Sequence, residues 1–221
     1  MYTQVLKAQW LAARLPVVLL AVLAFALPLL TVTYGGSLEG APTERVALWL
    51  FAAQKVGVLI PGLALLLGLL LGIGAWAPDH LGKHVYALSL PVPRAMYVML
   101  RFAAGVTLLA VPVVALGIGA LLASLSVSLP SGIHAYPVQI TVRFAMAALV
   151  CFAIFFAISI ATKRAALAVL GVICGVLLAD LVLGAVGRGD AGTVTSTVFL
   201  LLTNWPGPLS ILMGRWALFD V

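Results

Sequence analysis

The residues best suited to chemistry stand together between the second and third long apolar stretches of the sequence. His80 and His84 lie four residues apart, with Asp79 beside them. On a helix, this spacing turns two imidazoles toward one face, where they could share a metal ion. Two histidines on a surface helix more often serve as polar cover. We interpret them as polar cover and predict no metal site.

A second unusual side chain is Asp180, an acid inside an apolar run that extends from about residue 165 to residue 186. A charge at membrane depth is costly, so acids in such runs are usually paired or functional. Arg143 or Arg188 could pair with Asp180 near the membrane surface. Two interpretations therefore stay open: a structural ion pair or solvated helix end, and a functional acid on a substrate path.

The motifs of self-sufficient enzymes are missing from the sequence. It contains no G-x-x-x-x-G-K-[ST] phosphate loop, no H-E-x-x-H zinc motif and no G-x-S-x-G nucleophile elbow. We therefore predict no catalytic residue in this chain, no cofactor bound by it and no enzymatic activity of its own.

Composition identifies the class of protein. Of 221 residues, 64% are hydrophobic and only 8% are charged, whereas soluble domains carry about 25% charged residues. The apolar runs approach or exceed the roughly 20 residues that span a bilayer. We predict an all-α, polytopic transmembrane bundle that forms one domain over residues 1–221. The net charge of +6 does not indicate nucleic-acid binding, because the basic residues sit at the ends of apolar runs.

Hydropathy divides the chain into an N-terminal helix, five clear spans and an irregular tail. Residues 1–15 are amphipathic and predict an interfacial helix, with Trp10 at headgroup level. Thr43 and Glu44 follow Pro42 and predict the start of a short helix that runs to about residue 54. The five spans are predicted at residues 16–34, 56–76, 102–127, 140–160 and 165–186.

The tail, residues 193–221, contains Pro206-Gly207-Pro208, which would break a continuous helix. We predict a broken C-terminal hairpin of two short helices, which is either re-entrant or an irregular sixth span. Inside the spans, Gly68-x-x-x-Gly72 and Gly171-x-x-x-Gly175 permit close helix approach, and we interpret them as ordinary intramolecular packing. Cys151 and Cys174 are interpreted as small buried hydrophobes.

The basic residues predict the orientation. With the N-terminus inside, seven lie on the inner side and four on the outer side, which the positive-inside rule favours. We therefore predict a cytoplasmic N-terminus and a cytoplasmic segment over residues 77–101. The predicted location is the cytoplasmic (inner) membrane of a prokaryote.

The segment over residues 77–101 has a pattern of its own. Pro78 and Asp79 suit a helix N-terminus, and an apolar stripe follows at i, i+4 and i+7, formed by Leu81, Val85 and Leu88. Pro91 ends this helix and Pro93 can begin the next one, which continues through Arg94. The segment is either a surface loop that anchors two spans or a docking element for a soluble partner.

Two passages resemble a known family. "LLLGLLLGIGAW" and the following "HVYALSLPVPRAMYVMLRFAAG" resemble the ABC-2 family of ATP-binding-cassette transporter permeases. In that family, span two leads into a cytoplasmic coupling helix, an elbow of the type "LLSLPVSR" and the basic start of span three. Residues 88–94, Leu-Ser-Leu-Pro-Val-Pro-Arg, match that elbow. The amphipathic N-terminus and the broken tail are similar to the family's connecting helix and external hairpin.

The resemblance implies the membrane subunit of an exporter that moves a lipid-like, amphiphilic or other substrate. ATP and magnesium would be bound by a separate ATPase subunit, and a second permease copy or a related permease would complete the path through the lipid. The residues that the resemblance assigns to coupling with the ATPase are Asp79, Leu81, Lys83, Val85, Leu88, Pro91, Pro93 and Arg94. Two rival hypotheses are a membrane scaffold that docks another cytoplasmic partner and, less favoured by the sequence, a membrane enzyme.

Overall fold

The computed structural model of the chain describes residues 2–32, 42–81, 93–130, 132–161, 168, 171–172, 175, 178–179, 182, 210–212 and 215–220. Its bounded elements, in chain order, are α1 (Tyr2–Leu30), α2 (Thr43–Gly57), α3 (Leu59–Leu81), α4 (Arg94–Leu125), β1 (His134–Ala135), α5 (Pro137–Ala161), a 3-10 helix (Ser210–Leu212) and β2 (Phe219–Asp220).

The first helix is continuous from Tyr2 to Leu30, so the interfacial helix predicted for residues 1–15 is not a separate element. The buried residues of α1 recur every three or four positions and form one stripe: Gln9, Ala13, Val17, Leu20, Ala24 and Leu27. Such a stripe is the face that a helix packs against its neighbours. The fully buried Val17 and Ala24 lie in its centre.

α1 changes direction relative to α4. Its Gln9 side chain reaches the backbone carbonyl of Arg101, and its Phe25 carbonyl lies against Gly119, so this part runs parallel to α4. The hydroxyl of Tyr2, however, lies 2.6 Å from the Thr107 hydroxyl, which is deeper along α4 than Arg101. The first turns of α1 therefore cross α4 rather than follow it.

The helix predicted to start after Pro42 is confirmed. α2 begins at Thr43, with Pro42 at its N-cap and Glu44 in its first turn, where an acid interacts favourably with the helix dipole. A turn at Val58 separates α2 from α3. The short helix and the following span thus occupy nearly the predicted residues.

Glycines bring α3 and α5 into direct contact. Gly68 faces the backbone of Cys151, and Gly72 faces that of Phe155, so the two helices run parallel. The interpretation of Gly68-x-x-x-Gly72 as intramolecular packing is confirmed, and so is that of Cys151, which is fully buried. A Cβ atom added at Gly171 or Gly175 would have open space around it, with no atom of another described element within 4 Å; Cys174 lies outside the described residues.

α4 runs antiparallel to α5, because Gly105 lies against the ring of Phe152 and Gly117 against Thr141. The C-termini of α3 and α5 and the N-terminus of α4 therefore share one end of the bundle, which we call the Arg101 end. The C-terminus of α1, α2 and both strands lie at the opposite end, which we call the Trp216 end.

The C-terminal segment closes the Trp216 end. β2 pairs antiparallel with β1, with Phe219 opposite Ala135. The Phe219 ring lies 4.9 Å from the Trp49 ring of α2, and Gly57 packs directly against the Trp216 carbonyl. The second short helix predicted for the tail is wrong over these residues: a 3-10 turn is followed by an extended chain, because pairing with β1 and burial of Phe219 favour a strand.

Four stretches are helical, long enough and apolar enough to span a membrane: Tyr2–Leu30, Thr43–Ala77, Arg94–Leu125 and Pro137–Ile160. They overlap the first four predicted spans, and Thr43–Ala77 comprises α2 and most of α3, with the turn at Val58 between them. Of the predicted fifth span, the described residues are helical and mostly exposed, and the others lie outside the described part of the chain. Most of the predicted hairpin lies outside it as well.

The predicted orientation leads to a labelling test. In a variant with both cysteines replaced by alanine, we expect a cysteine at Ser128, which is exposed at the Trp216 end, to react with an impermeant thiol reagent in intact cells. A cysteine at the exposed Arg94 of the Arg101 end should react only after the cells are opened. Reaction of the Arg94 variant in intact cells would reverse the predicted orientation.

Candidate functional site

The predicted coupling residues lie at the Arg101 end, and the structure describes both borders of that segment. Leu81 is the last residue of α3. Pro93 is the N-cap of α4 and Arg94 is its first residue, and both are exposed. Four predicted residues lie outside the described part of the chain, as does Asp180: Lys83, Val85, Leu88 and Pro91.

Asp79 is not at the start of a coupling helix, as the sequence predicted, but in the last turn of α3. The helix continues through Pro78 to Leu81, past the predicted end of the span at Trp76. An acid near a helix C-terminus is unfavourable, because the carbonyl ends carry partial negative charge. A partner cation therefore has to offset that cost, and α4 supplies it.

Arg101 of α4 forms a buried ion pair with Asp79. Its Nη2 atom lies 2.7 Å from Asp79 Oδ1, and the two side chains are only 5% and 2% exposed. Two opposite charges held this far from solvent interact much more strongly than a surface pair. The pair therefore fastens the C-terminus of α3 to the N-terminal part of α4.

Tyr97 lies between the two charges. Its hydroxyl donates to both carboxylate oxygens of Asp79, at 3.0 and 3.1 Å. The same oxygen accepts hydrogen bonds from Nε and Nη2 of Arg101, at 2.9 and 2.6 Å. We call Asp79, Tyr97 and Arg101 the Asp79 cluster. Because each member bonds to the other two, the cluster is a closed network rather than a single contact.

Neighbouring helices extend the cluster. Arg101 Nη1 donates to the Ala75 carbonyl, and its guanidinium carbon lies 5.6 Å from the Trp76 ring. Gln9 of α1 donates from Nε2 to the Arg101 backbone carbonyl at 3.1 Å. Side chains from α1, α3 and α4 thus meet at one point inside the Arg101 end.

Helical spacing explains how the cluster forms. Tyr97 and Arg101 are four residues apart on α4, and Ala75 and Asp79 are four residues apart on α3. Residues at this spacing share a face of a helix. Each helix therefore presents two polar groups on one face, and the packing of α3 against α4 brings the faces together.

Two buried polar atoms beside the cluster lack a hydrogen-bond partner within the described part of the chain: Gln9 Oε1 and Trp76 Nε1. Buried polar groups usually have a partner, so such atoms indicate a water molecule or a second arrangement of the site. Trp76 lies five residues before the end of α3, and Gln9 of α1 contacts the Arg101 carbonyl of α4.

The cluster is a buried network of an ion pair and hydrogen bonds that connects two helices, and its residue types do not suit a metal centre. Among the described residues, no group of three His, Cys, Asp or Glu side chains is placed to hold a metal ion. His84 lies outside the described residues, so the interpretation of His80 and His84 as polar cover stays a prediction. Arg101 and Tyr97 were not among the predicted site residues, although a Tyr and an Arg one turn apart were visible in the sequence.

Comparison of the chain with family models, curated proteins and solved structures gives no match. The functional argument therefore depends on the residues and on the geometry of the Arg101 end.

Proposed function

We propose that the chain is the membrane-spanning subunit of an ABC-2-type exporter, which moves a lipid-like or amphiphilic substrate with ATP hydrolysed by a separate subunit. In this proposal, residues 82–92, together with the helix ends on either side, dock the ATPase. The ATPase is a separate subunit in this proposal because the sequence contains no phosphate loop, and a second permease copy completes the path.

The observation that carries the proposal is the Asp79–Arg101 ion pair. It joins the two helices that border residues 82–92, and it lies within the turn or two of each helix nearest that segment. A force applied to the segment therefore reaches α3 and α4 together. Without the pair, fewer contacts would connect the two helix ends that border the segment.

The distribution of polar groups at this end also supports the proposal. Arg94 is exposed at the first position of α4, whereas Arg101 is buried two turns further along. An exposed arginine is available to a partner carboxylate, and the buried arginine is committed to the internal pair. In this proposal, Arg94 binds the partner, and Arg101 holds the end of α3 against α4.

The test uses the paired substitution of Leu81 and Leu88 by serine. If these leucines are buried against an ATPase, their loss costs about 3–6 kcal/mol of contact energy. We expect the tagged, full-length chain purified from its native membrane to lose a co-purifying subunit that carries a phosphate loop. Magnesium-dependent ATP hydrolysis per mole of chain should fall with it.

Replacement of Leu121 and Leu125 by serine is the matched control, because both leucines are exposed on α4 toward the opposite end of the bundle. The control should keep the subunit and its ATPase activity. If wild-type chain captures a partner without a phosphate loop and without ATPase activity, the scaffold hypothesis replaces the exporter. Unchanged ATPase content in the Leu81/Leu88 variant would overturn the docking role of the segment.

A further inference from the structure

A cavity of about 300 Å³ opens at the Trp216 end, on the opposite side of the bundle from the Asp79 cluster. Its walls are formed by the start of α5, the residue before that helix and the C-terminal segment. Six of its lining residues carry the argument: Tyr136, Gln139, Arg143, Arg215, Trp216 and Asp220. The volume is at the lower limit of small-ligand sites, so the cavity fits a small polar group.

The guanidinium of Arg143 is held in place on one side of the cavity. Its central carbon lies 4.5 Å from the centre of the Trp216 ring, and its Nη1 donates to the Arg215 carbonyl at 2.5 Å. Stacking on an aromatic ring orients a guanidinium without neutralising its charge. A ligand would meet a positive group that is already positioned.

The second cation of the cavity, Arg215, is more exposed to solvent than Arg143. The Arg215 side chain is 80% exposed, and it lies 3.9 Å from Asp220, at the outer limit of an ion pair. The three charged side chains that line the described cavity carry two positive charges and one negative charge. This arrangement suits a ligand that is itself zwitterionic, with its anionic group toward the arginines.

The depth of the cavity indicates the source of such a ligand. Arg143 lies six residues after the first residue of α5, which corresponds to about 9 Å along the axis. If α5 spans the bilayer, the cavity mouth lies at the level of the lipid headgroups. Arginine and aromatic side chains are common at that level.

An apolar surface continues from the cavity along α5. Val138, Val142 and Met146 are 69%, 57% and 49% exposed and recur every four residues on one face. Val138 and Val142 directly precede the cavity residues Gln139 and Arg143 in the sequence, so the two faces are adjacent. Acyl chains could lie along this surface while a headgroup occupies the cavity.

We propose that this cavity binds the headgroup of a zwitterionic phospholipid, with the phosphate at Arg143 and Arg215 and the ammonium group at Asp220. A guanidinium binds phosphate oxygens through paired N–H donors, and a carboxylate accepts from an ammonium. The adjacent apolar face favours a lipid over free phosphate. The site is independent of the proposed transport function, since it shares no residue with the Arg101 end.

The test measures lipid binding to the delipidated, full-length chain in detergent by native mass spectrometry. The probes are phosphatidylethanolamine, phosphatidic acid and diacylglycerol with the same acyl chains. We expect phosphatidylethanolamine to bind best and diacylglycerol worst. Arg215→Ala should weaken the binding of phosphatidylethanolamine by up to about fivefold, the upper end of the range for an exposed charge contact. Asp220→Asn should reduce the preference for phosphatidylethanolamine over phosphatidic acid.

Arg45→Ala is the matched control, because Arg45 is exposed on α2 at the same end and does not line the cavity. It should bind all three lipids like the wild type. Equal binding of diacylglycerol, or equal weakening by Arg45→Ala, would overturn phosphate recognition. Displacement of the lipid by millimolar inorganic phosphate, with no dependence on acyl chains, would overturn the lipid as the ligand.

Discussion

Replacing Arg101 with alanine is expected to lower the free energy of unfolding by about 3–5 kcal/mol, because it leaves the Asp79 carboxylate buried without its cation. Asp79 is 2% exposed, so its carboxylate depends on the side chains around it rather than on bulk solvent for neutralisation. The Ala75 carbonyl and the Tyr97 hydroxyl lose a donor in the same step. The measurement is reversible unfolding of the purified chain in detergent, followed by circular dichroism.

Arg94→Ala is the matched control for this prediction. Arg94 begins the same helix and has the same charge, but it is exposed. Substitutions at such positions usually change stability by no more than about 0.5 kcal/mol. Equal unfolding midpoints for the Arg94 and Arg101 variants would mean that the Asp79 cluster does not stabilise the chain.

A double-mutant cycle separates the attraction within the pair from the cost of an isolated charge. We would combine Asp79→Leu with Arg101→Met in a Tyr97→Phe background, so that no tyrosine hydroxyl is left buried without its partners. Replacing both members of a buried pair with apolar side chains is often close to neutral. The double variant should therefore be more stable than either single variant. If the proposed coupling to an ATPase is found in the wild type and is lost in the double variant, the pair transmits force as well as holding the helices.

The helical spans were readable from the sequence because the bilayer imposes their length. Span three was predicted at residues 102–127 and span four at residues 140–160, and the structure has α4 at Arg94–Leu125 and α5 at Pro137–Ala161. For these two spans the larger error is at the N-terminal end, and for α3 it is at the C-terminal end, because the helices continue beyond the apolar core. Hydropathy locates the hydrocarbon-spanning part of a helix and says little about the polar turns beyond it.

The Asp79 cluster could be predicted only in part. Tyr97 and Arg101 were not predicted as site residues; their four-residue spacing is compatible with a shared helix face, but spacing does not identify the partner of that face. Pro78 and Asp79 also matched a helix start, since proline and acids favour that position. The structure has them at a helix end, where contact with Arg101 offsets the local preference. Such a tertiary contact is absent from any local pattern.

The C-terminal strand was not predictable for a related reason. Residues 215–220 contain aromatic and apolar side chains that fit a short helix as well as a strand. What selects the strand is pairing with β1 and the contact of Phe219 with Trp49, both distant in sequence. The cavity lined by Arg143 and Arg215 depends on the same pairing, so it could not be inferred from either segment alone.

Replacing Gly68 with alanine is expected to destabilise the contact between α3 and α5. A Cβ atom at Gly68 would lie 2.5 Å from Cys151 Cβ and 2.6 Å from the Phe152 nitrogen, which is far inside van der Waals contact. The obstacle is largely backbone, so a change of rotamer cannot relieve it and the helices must separate. We expect a loss of about 1–3 kcal/mol in unfolding free energy, the range for overpacking a well-packed contact.

Gly62→Ala is the control that isolates this effect, because Gly62 lies on the same helix with nothing within 4 Å of an added Cβ among the described residues. There, alanine should be neutral or stabilising by up to about 1 kcal/mol, since glycine is the weaker helix former. The two variants make the same chemical change in one helix, so any difference between their unfolding midpoints reports the α3–α5 contact alone. If Gly68→Ala were as stable as Gly62→Ala, the close packing of these helices would have to be abandoned, and with it the rigid connection between α5 and the helix that carries Asp79.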